Sequence, residues 1–149
     1  MKLSTKGRYG VTAMFDLAVR YGQGPISIKE ISDRQLISEP YLEQLFATLR
    51  KAGLVNSVRG AQGGYYLAHE PKKITVGNVI RVLEGPIAPT ECVLEKDPRA
   101  CTKSDLCVTR GIWEDIRNSI NNVIDNITLA DLVEDYKNKL DKDAYMYYI

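Results

Sequence analysis

Apolar residues in the first third of the chain recur with a helical period, broken at intervals by residues that stop helices. Val11, Met14, Phe15 and Ala18 fall at i, i+3, i+4 and i+7 behind Ser4 or Thr5. That spacing predicts a capped amphipathic helix running to about Tyr21, where Gly22, Gly24 and Pro25 break it. Ser27-Ile28-Lys29-Glu30 reads as a capping box, in which serine oxygen and glutamate carboxylate satisfy two orphan backbone donors, so a short helix is expected to about Arg34. Gln35-Leu36-Ile37 makes a tight turn. Ser38 then caps a further helix, with Pro40 in its first turn, where a missing N–H does no harm. Leu42, Leu45, Phe46 and Leu49 form its inward stripe, and Gly53 supplies a left-handed stop. Two short helices around a turn of a few residues describe a helix-turn-helix.

The period then changes. Leu54-Val55-Asn56-Ser57-Val58 and Gly64-Tyr65-Tyr66-Leu67 read as paired strands around the glycine-rich turn Arg59-Gly60-Ala61-Gln62-Gly63. A hairpin directly after a helix-turn-helix predicts a winged helix. An arginine at the base of a small-residue tip suits a minor-groove probe, because glycines allow close backbone approach and a guanidinium is drawn to a narrow groove. Thr75 caps a helix with Val76, Val79, Ile80 and Leu83 inward, ended by Gly85-Pro86. Residues 87–108 lack periodicity. A long helix follows from about Thr109 to Ile127, with Ile112, Trp113, Ile116, Ile120, Val123, Ile124 and Ile127 on one continuous stripe. Thr128-Leu129-Ala130-Asp131 caps a last helix with Leu132, Val133, Tyr136 and Leu140, and residues 141–149 read as a charged-then-aromatic tail.

The expected fold is therefore mainly α with a small β-hairpin wing: a winged helix-turn-helix plus a long dimerisation helix. A small domain cannot cover that much isoleucine surface alone, so the long helices are expected to pair in a homodimer. The organisation expected is a winged helix-turn-helix DNA-binding domain over 1–84, a cysteine-bearing loop over 85–108, and dimerisation helices and tail over 109–149.

Charge sharpens this picture. The chain is 149 residues long with a net charge of only +1, but residues 1–73 hold eleven Lys/Arg against six Asp/Glu, and residues 74–149 nine against thirteen. A basic front half and an acidic rear half suit one module facing phosphates and another facing something else. No apolar run approaches the ~20 residues needed to span a bilayer. The N-terminus has no hydrophobic stretch behind its lysines, so the cytoplasm is the expected location, with no membrane partner. One histidine, no HExxH, no phosphate-binding glycine loop and no paired carboxylates leave no basis for an enzyme.

Three motifs carry a resemblance. Lys6-Gly7-Arg8-Tyr9-Gly10, Tyr41-Leu42-Glu43-Gln44-Leu45 and Arg59-Gly60-Ala61-Gln62-Gly63-Gly64-Tyr65 resemble, in order and spacing, the Rrf-type winged-helix regulators of bacteria. The resemblance covers nearly the whole chain. It implies a homodimer that represses, and sometimes activates, genes by binding double-stranded DNA at a palindromic operator. Two-fold symmetry would place half-site centres about 34–36 Å apart or a multiple of that. Ser38, Glu39, Tyr41, Glu43 and Gln44 begin the recognition helix. Gln44 can pair with adenine, Ser38 with several bases, and Glu43 can accept from cytosine N4 while penalising sites without that donor. Alternatively, Glu43 caps or pairs with Arg50 or Lys51. Lys6, Tyr9 and Tyr41 are candidate phosphate contacts, and Arg59, Gln62 and Gly63 candidate wing contacts.

All three cysteines, Cys92, Cys101 and Cys107, fall within sixteen residues, spaced C-x8-C-x5-C. Thiolates are soft donors for iron and zinc, but this spacing is looser than zinc knuckles and matches no ferredoxin run, so from spacing alone metal ligation and free thiols both stand. Glu91, Asp97-Pro98 and Lys103-Ser104-Asp105 make the surroundings polar. The resemblance implies an iron–sulfur cluster on these three residues, since cluster-bearing members of the family carry it in the loop before the long helix. A 2Fe–2S cluster is favoured over 4Fe–4S. This chain departs from the pattern at the fourth ligand: the histidine expected three residues after the last cysteine is Arg110, which cannot ligate. Glu91, Glu95, Asp97, Asp105, the partner subunit or solvent remain as candidates. The only histidine, His69, reads as a surface residue after the wing. The tail Ala144-Tyr145-Met146-Tyr147-Tyr148-Ile149 is similar to that of a cluster-free, cysteine-metabolism branch of the family. Members of that branch respond through cysteine synthase, which makes the enzyme a candidate partner for the tail. A zinc-stabilised protein–protein interaction module is the alternative of another class.

Overall fold

Hydroxyl side chains close the first turn of five of the six α-helices among the described residues. In the computed structural model, which describes residues 2–94 and 101–147, α1 (Thr5–Val19) begins at Ser4, whose oxygen accepts from the Gly7 N–H. Reciprocal boxes start α2 (Ile28–Gln35) through Ser27 and Glu30, and α4 (Val76–Glu84) through Thr75 and Asn78. Ser38 caps α3 (Glu39–Lys51). Thr128 and Asp131 exchange backbone hydrogen bonds of 2.9 and 3.1 Å at the start of α6 (Leu129–Tyr147). Each such cap contributes about 1 kcal/mol. The exception is α5 (Arg110–Asp125), which no side chain caps.

Between α3 and α4 lie β1 (Val55–Val58) and β2 (Gly64–Leu67), antiparallel with Val55 opposite Leu67 and Val58 opposite Gly64. Ile26 adds a bridge to Tyr65, with bonds of 2.9 and 2.8 Å in the two directions, and so pins the hairpin base to the loop before α2. At Gly64 (φ +155°) a side chain would run into the backbone of Ile26, so only glycine fits. The three-helix body and hairpin form the expected winged helix-turn-helix.

One core joins these elements. Met14 and Leu17 of α1, Ile31 of α2 and Leu42, Leu45, Phe46 and Leu49 of α3 are buried, together with Val55, Ile74, Val79 and Leu129. Phe46 stacks on Tyr65 with ring centroids 4.7 Å apart. Leu129, with Leu132 and Val133 packed beside it, brings the start of α6 into this core, and Phe15 meets Tyr136 edge-on. Two glycines let α1 approach α4: a Cβ on Gly7 would come within 2.6 Å of a Glu84 carboxylate oxygen, and one on Gly10 would overlap Leu83.

The turn between α2 and α3 falls where the sequence placed it, and two other features differ from the sequence reading. The helix-turn-helix turn is made by Leu36, which caps α2 in the left-handed region (φ 56°, ψ 41°) while remaining exposed; that conformation costs a leucine roughly 1–2 kcal/mol. The final helix continues through Tyr147 rather than giving way to a tail near residue 141. No glycine or proline interrupts residues 129–147, and the Lys139–Asp135 pair at 3.1 Å supports the helix from outside. The second difference is a fully buried acid, Asp16, described below. Tyr148 and Ile149 of the expected tail lie outside the described residues.

None of the residues of α5 is buried. Ile112 and Val123 are more than half exposed, and Trp113, Ile116, Ile120 and Ile124 are only partly covered. No described helix is long and apolar enough to cross a membrane.

Candidate DNA interface and cysteine segment

The start of α3 projects from the body. Ser38, Glu39, Glu43 and Gln44 are exposed, while Leu42, Leu45 and Phe46 anchor the opposite face. The Ser38 oxygen is engaged as the N-cap by the Tyr41 N–H at 3.4 Å, leaving its hydroxyl proton for an outside acceptor. Glu43 has no ion-pair partner among the described residues. Arg50 turns instead to the wing and donates to Ser57 Oγ at 3.0 Å. Of the two roles open to Glu43, the structure therefore offers no neighbour for internal pairing.

Tyr9 and Tyr41 meet edge to face with centroids 5.8 Å apart, which brings the N-terminal half of α1 beside the start of α3. Lys6 and Tyr9 are exposed and Tyr41 is half-buried. Arg59 and Gln62 are exposed in the turn between the strands, with Gly60 at φ +112° shaping it; Gly63 is half-buried against the Val58 carbonyl. The Arg50–Ser57 bond and the Ile26–Tyr65 bridge both fix the hairpin to the helical body.

Between α1 and α2 sits a group that periodicity does not show. The Asp16 side chain is 0% exposed and accepts from Arg34 Nε and Nη2 at 3.0 and 2.8 Å. Gln35 Nε2 approaches it at 2.9 Å and Arg20 Nη1 at 3.3 Å. The hydrogen bonds that Arg34 donates to the Asp16 carboxylate hold its guanidinium pKa above the usual value. This clamp ties the end of α2, just before the Leu36 turn, to the last turn of α1. Its only sequence signal is an acid inside the apolar run Ala13-Met14-Phe15-Asp16-Leu17-Ala18.

The cysteines sit in the segment between α4 and α5. Cys92, in a 3-10 turn over Glu91–Val93, contacts Thr90 Oγ1 at 3.1 Å, and Val93 beside it is buried. Cys101 precedes a second such turn over Ser104–Leu106. Cys107 stands before α5, with Thr109 Oγ1 3.3 Å from its sulfur. The Thr109 hydroxyl, then the backbone N–H groups of Arg110 and Thr109, favour the thiolate and lower the Cys107 pKa. All three thiols are free and partly exposed. This donor set has the right chemistry for a thiolate-ligated metal centre. Among the described residues, however, no group of three or more Cys, His, Asp or Glu side chains stands close enough to hold an ion. Arg110 pairs with Glu114 at 3.1 Å. His69 is exposed after the wing, and Glu95 and Asp97 lie outside the described residues.

Comparison with known proteins places this geometry. The Rrf2 profile, described as iron-dependent transcriptional regulator, matches residues 3–135. The chain is 48% identical to the HTH-type transcriptional regulator CymR of Bacillus subtilis over 149 residues, the full length of both. It is 46% identical to the HTH-type transcriptional regulator IscR of Serratia proteamaculans over 133 residues, covering 89% of this chain and 79% of that protein. Among solved structures, IscR of T. potens superposes with a TM-score of 0.74 at 56% identity, over 91% of this chain and 88% of that one.

Proposed function

Because the chain belongs to the Rrf2 family of DNA-binding transcriptional regulators, we propose that it acts in the cytoplasm as a homodimer, chiefly a repressor, on a palindromic operator. The observation that carries this reading is the placement of an exposed recognition-helix start and a glycine-built wing on one rigid core. Gln44, Glu43, Ser38 and Glu39 read bases, Lys6, Tyr9 and Tyr41 hold phosphates, and Arg59, Gln62 and Gly63 enter the minor groove. Functionally the chain divides into a reader over 1–84, a signal segment over 85–108 and coupling helices over 109–149. The uncovered stripe of α5 supports pairing with a second copy: Ile112 and Val123 are 52% and 57% exposed in a single chain, more apolar surface than an isolated helix keeps in water.

The signal segment holds an iron–sulfur cluster on Cys92, Cys101 and Cys107. Bound there, such a group supplies redox and ligand-exchange chemistry at thiolate sulfur. The residues themselves do the rest: the Thr109 hydroxyl and the first N–H groups of α5 favour the thiolate of Cys107, and a closed segment pulls on the helix it leads into. The test is anaerobic purification with an absorption spectrum, iron count and operator titration before and after metal removal. About two irons per subunit and an affinity that changes with loading are expected. A protein that stays colourless after anaerobic reconstitution, or equal affinity with and without metal at every operator, refutes it.

A second reading has its own support. The 48% identity to CymR over the full length of both chains, CymR being the global cysteine regulator of B. subtilis, and the exposed Tyr145, Met146 and Tyr147 at the end of α6 favour a cluster-free regulator. Its C-terminus would dock on cysteine synthase as an apolar peptide. Capture of that enzyme by the intact chain, lost on removal of residues 145–149, separates the two. A zinc-stabilised interaction module predicts zinc in place of iron and no operator preference.

A further inference from the structure

Beside its apolar stripe, α5 carries a polar flank that the regulator reading leaves unused. Three asparagines, Asn118, Asn121 and Asn122, sit within five residues of the helix interior, although asparagine is among the weaker helix formers. With Arg117 and Asp125 they face α4 and line a cavity of about 510 Å3. Arg81 also lines it, and Pro86, Ile87 and Leu94 supply its apolar lining.

Among the described residues, the charges lining this cavity do not cancel. Arg81 binds Asp125 through two bonds of 2.7 Å and also reaches Asn121 Oδ1 at 2.7 Å, so the carboxylate is fully engaged. Arg117 has no carboxylate partner among the described residues. It donates to the Val93 carbonyl at 2.6 Å and to Asn118 Oδ1 at 3.2 and 3.1 Å. The amide oxygens of Asn118 and Asn122 are occupied, the latter by Asn126 Nδ2 at 3.0 Å, which leaves their N–H groups as donors. A guanidinium with no carboxylate partner among the described residues, two carboxamide donors and an apolar wall match a negatively charged head on a short carbon skeleton.

We propose that this cavity binds a small organic carboxylate. Arg117 pairs with the carboxylate, Asn118 and Asn122 donate to it, and Pro86, Ile87 and Leu94 cover its carbon chain. The same Arg117 holds the carbonyl next to Cys92, so an occupied cavity bears on the strut between the cysteine segment and α5. The site depends neither on a metal at the cysteines nor on the DNA reading.

The test is calorimetric titration of the full-length protein with butyrate, succinate, inorganic phosphate and n-butylammonium. Both carboxylates are expected to bind with dissociation constants below about 1 mM, phosphate about tenfold more weakly for want of a carbon chain, and butylammonium not at all. Asn118→Asp, which keeps the shape and sets a second negative charge beside Arg117, is expected to weaken carboxylate binding by about tenfold or more while leaving the circular dichroism spectrum unchanged. Arg117→Gln should abolish binding and Arg117→Lys restore part of it. No carboxylate binding up to about 10 mM, equal binding in Asn118→Asp, or phosphate binding as tight as succinate would overturn the proposal.

Discussion

Replacing Asp16 by asparagine tests whether the buried clamp holds the helix-turn-helix to α1. The substitution keeps shape and volume, so it opens no cavity; what changes is charge and one acceptor. The wild-type carboxylate takes the paired donors of Arg34 at 3.0 and 2.8 Å with Gln35 at 2.9 Å. In the variant one oxygen becomes an amide NH2 aimed at those same donors. Breaking a buried ion pair costs about 3–5 kcal/mol. Here the side chains of Arg34 and Arg20 keep 30% and 26% exposure, so water recovers part of their solvation, and about 2–3 kcal/mol is the expected loss. That is a large share of the roughly 5–15 kcal/mol by which a domain is stable. The assay is urea unfolding at fixed protein concentration for the wild type, Asp16→Asn, Arg34→Met and the double variant. Because the first loss belongs to the pair, the double variant should fall short of the sum by about 1 kcal/mol or more. Operator affinity should also fall by more than affinity for random duplex, since the clamp fixes α2 one residue before the turn into α3. A loss under about 0.5 kcal/mol, or full additivity, would show that Asp16 and Arg34 are neighbours without being coupled.

Three further outcomes follow from single contacts. Arg59→Ala should weaken specific operator binding by about 1–3 kcal/mol in a fluorescence anisotropy titration at fixed salt; unchanged affinity removes the wing from recognition. Thr109→Val removes the largest influence favouring the Cys107 thiolate, so alkylation of Cys107 by iodoacetamide in metal-free protein at pH 7 should slow by about twofold or more, and an unchanged rate refutes that cause. The Thr128 backbone N–H, then its hydroxyl, hold the Asp131 carboxyl below its ordinary value of 3.8. A depressed folded value means that the stabilisation is present above pH 3.8, is lost as pH falls through the folded value, and vanishes from the acid limb of a Tm profile in Asp131→Asn.

Helix starts were legible because a cap is local: Ser4, Ser27, Ser38, Thr75 and Thr128 bond to backbone within three residues. The core was legible because its period repeats, from Leu42 to Leu49 on α3 and from Val79 to Leu83 on α4. The hairpin declared itself through glycines that only a tight turn and a close backbone approach require. The Asp16 clamp was hidden because Arg34 and Gln35, the partners that tie it to α2, lie 18 and 19 positions away, and nothing in the α1 pattern names them. The continuation of α6 was missed because charged and aromatic residues after Leu140 suggest an end that no helix-breaking residue supplies. For the interface, exposure at Ser38, Glu39, Glu43 and Gln44 follows from the same stripe that buries Leu42 and Leu45. The cysteines were legible as a cluster of donors but not as a geometry, since Thr90 and Thr109 rather than one another are the neighbours that Cys92 and Cys107 contact.

The way α4 is fastened limits how a signal can reach the DNA. On one side Glu84 accepts from the Ser4 and Gly7 N–H groups at 2.8 and 3.2 Å, and Leu83 fills the space that Gly10 leaves open. On the other, Arg81 grips Asp125 and Asn121 of α5. The corner between α5 and α6 is also tied to the start of α4, through Val76 N–H to the Ile127 carbonyl at 2.8 Å and Leu129 N–H to the Ile74 carbonyl at 2.9 Å. A close-packed helix held on both flanks passes displacement on rather than absorbing it. A pull at the start of α5 therefore carries α4 and α1 with it, and α1 carries α2 and α3 through the Asp16 clamp. The angle of the recognition helix within one subunit should stay constant, and the signal should change the distance between two rigid readers. Since half-site spacing is set by that distance, operators with altered spacing should respond differently to the signal, whereas operators with altered bases at unchanged spacing should keep the same response. A response that follows the bases instead would place the movement inside the reader.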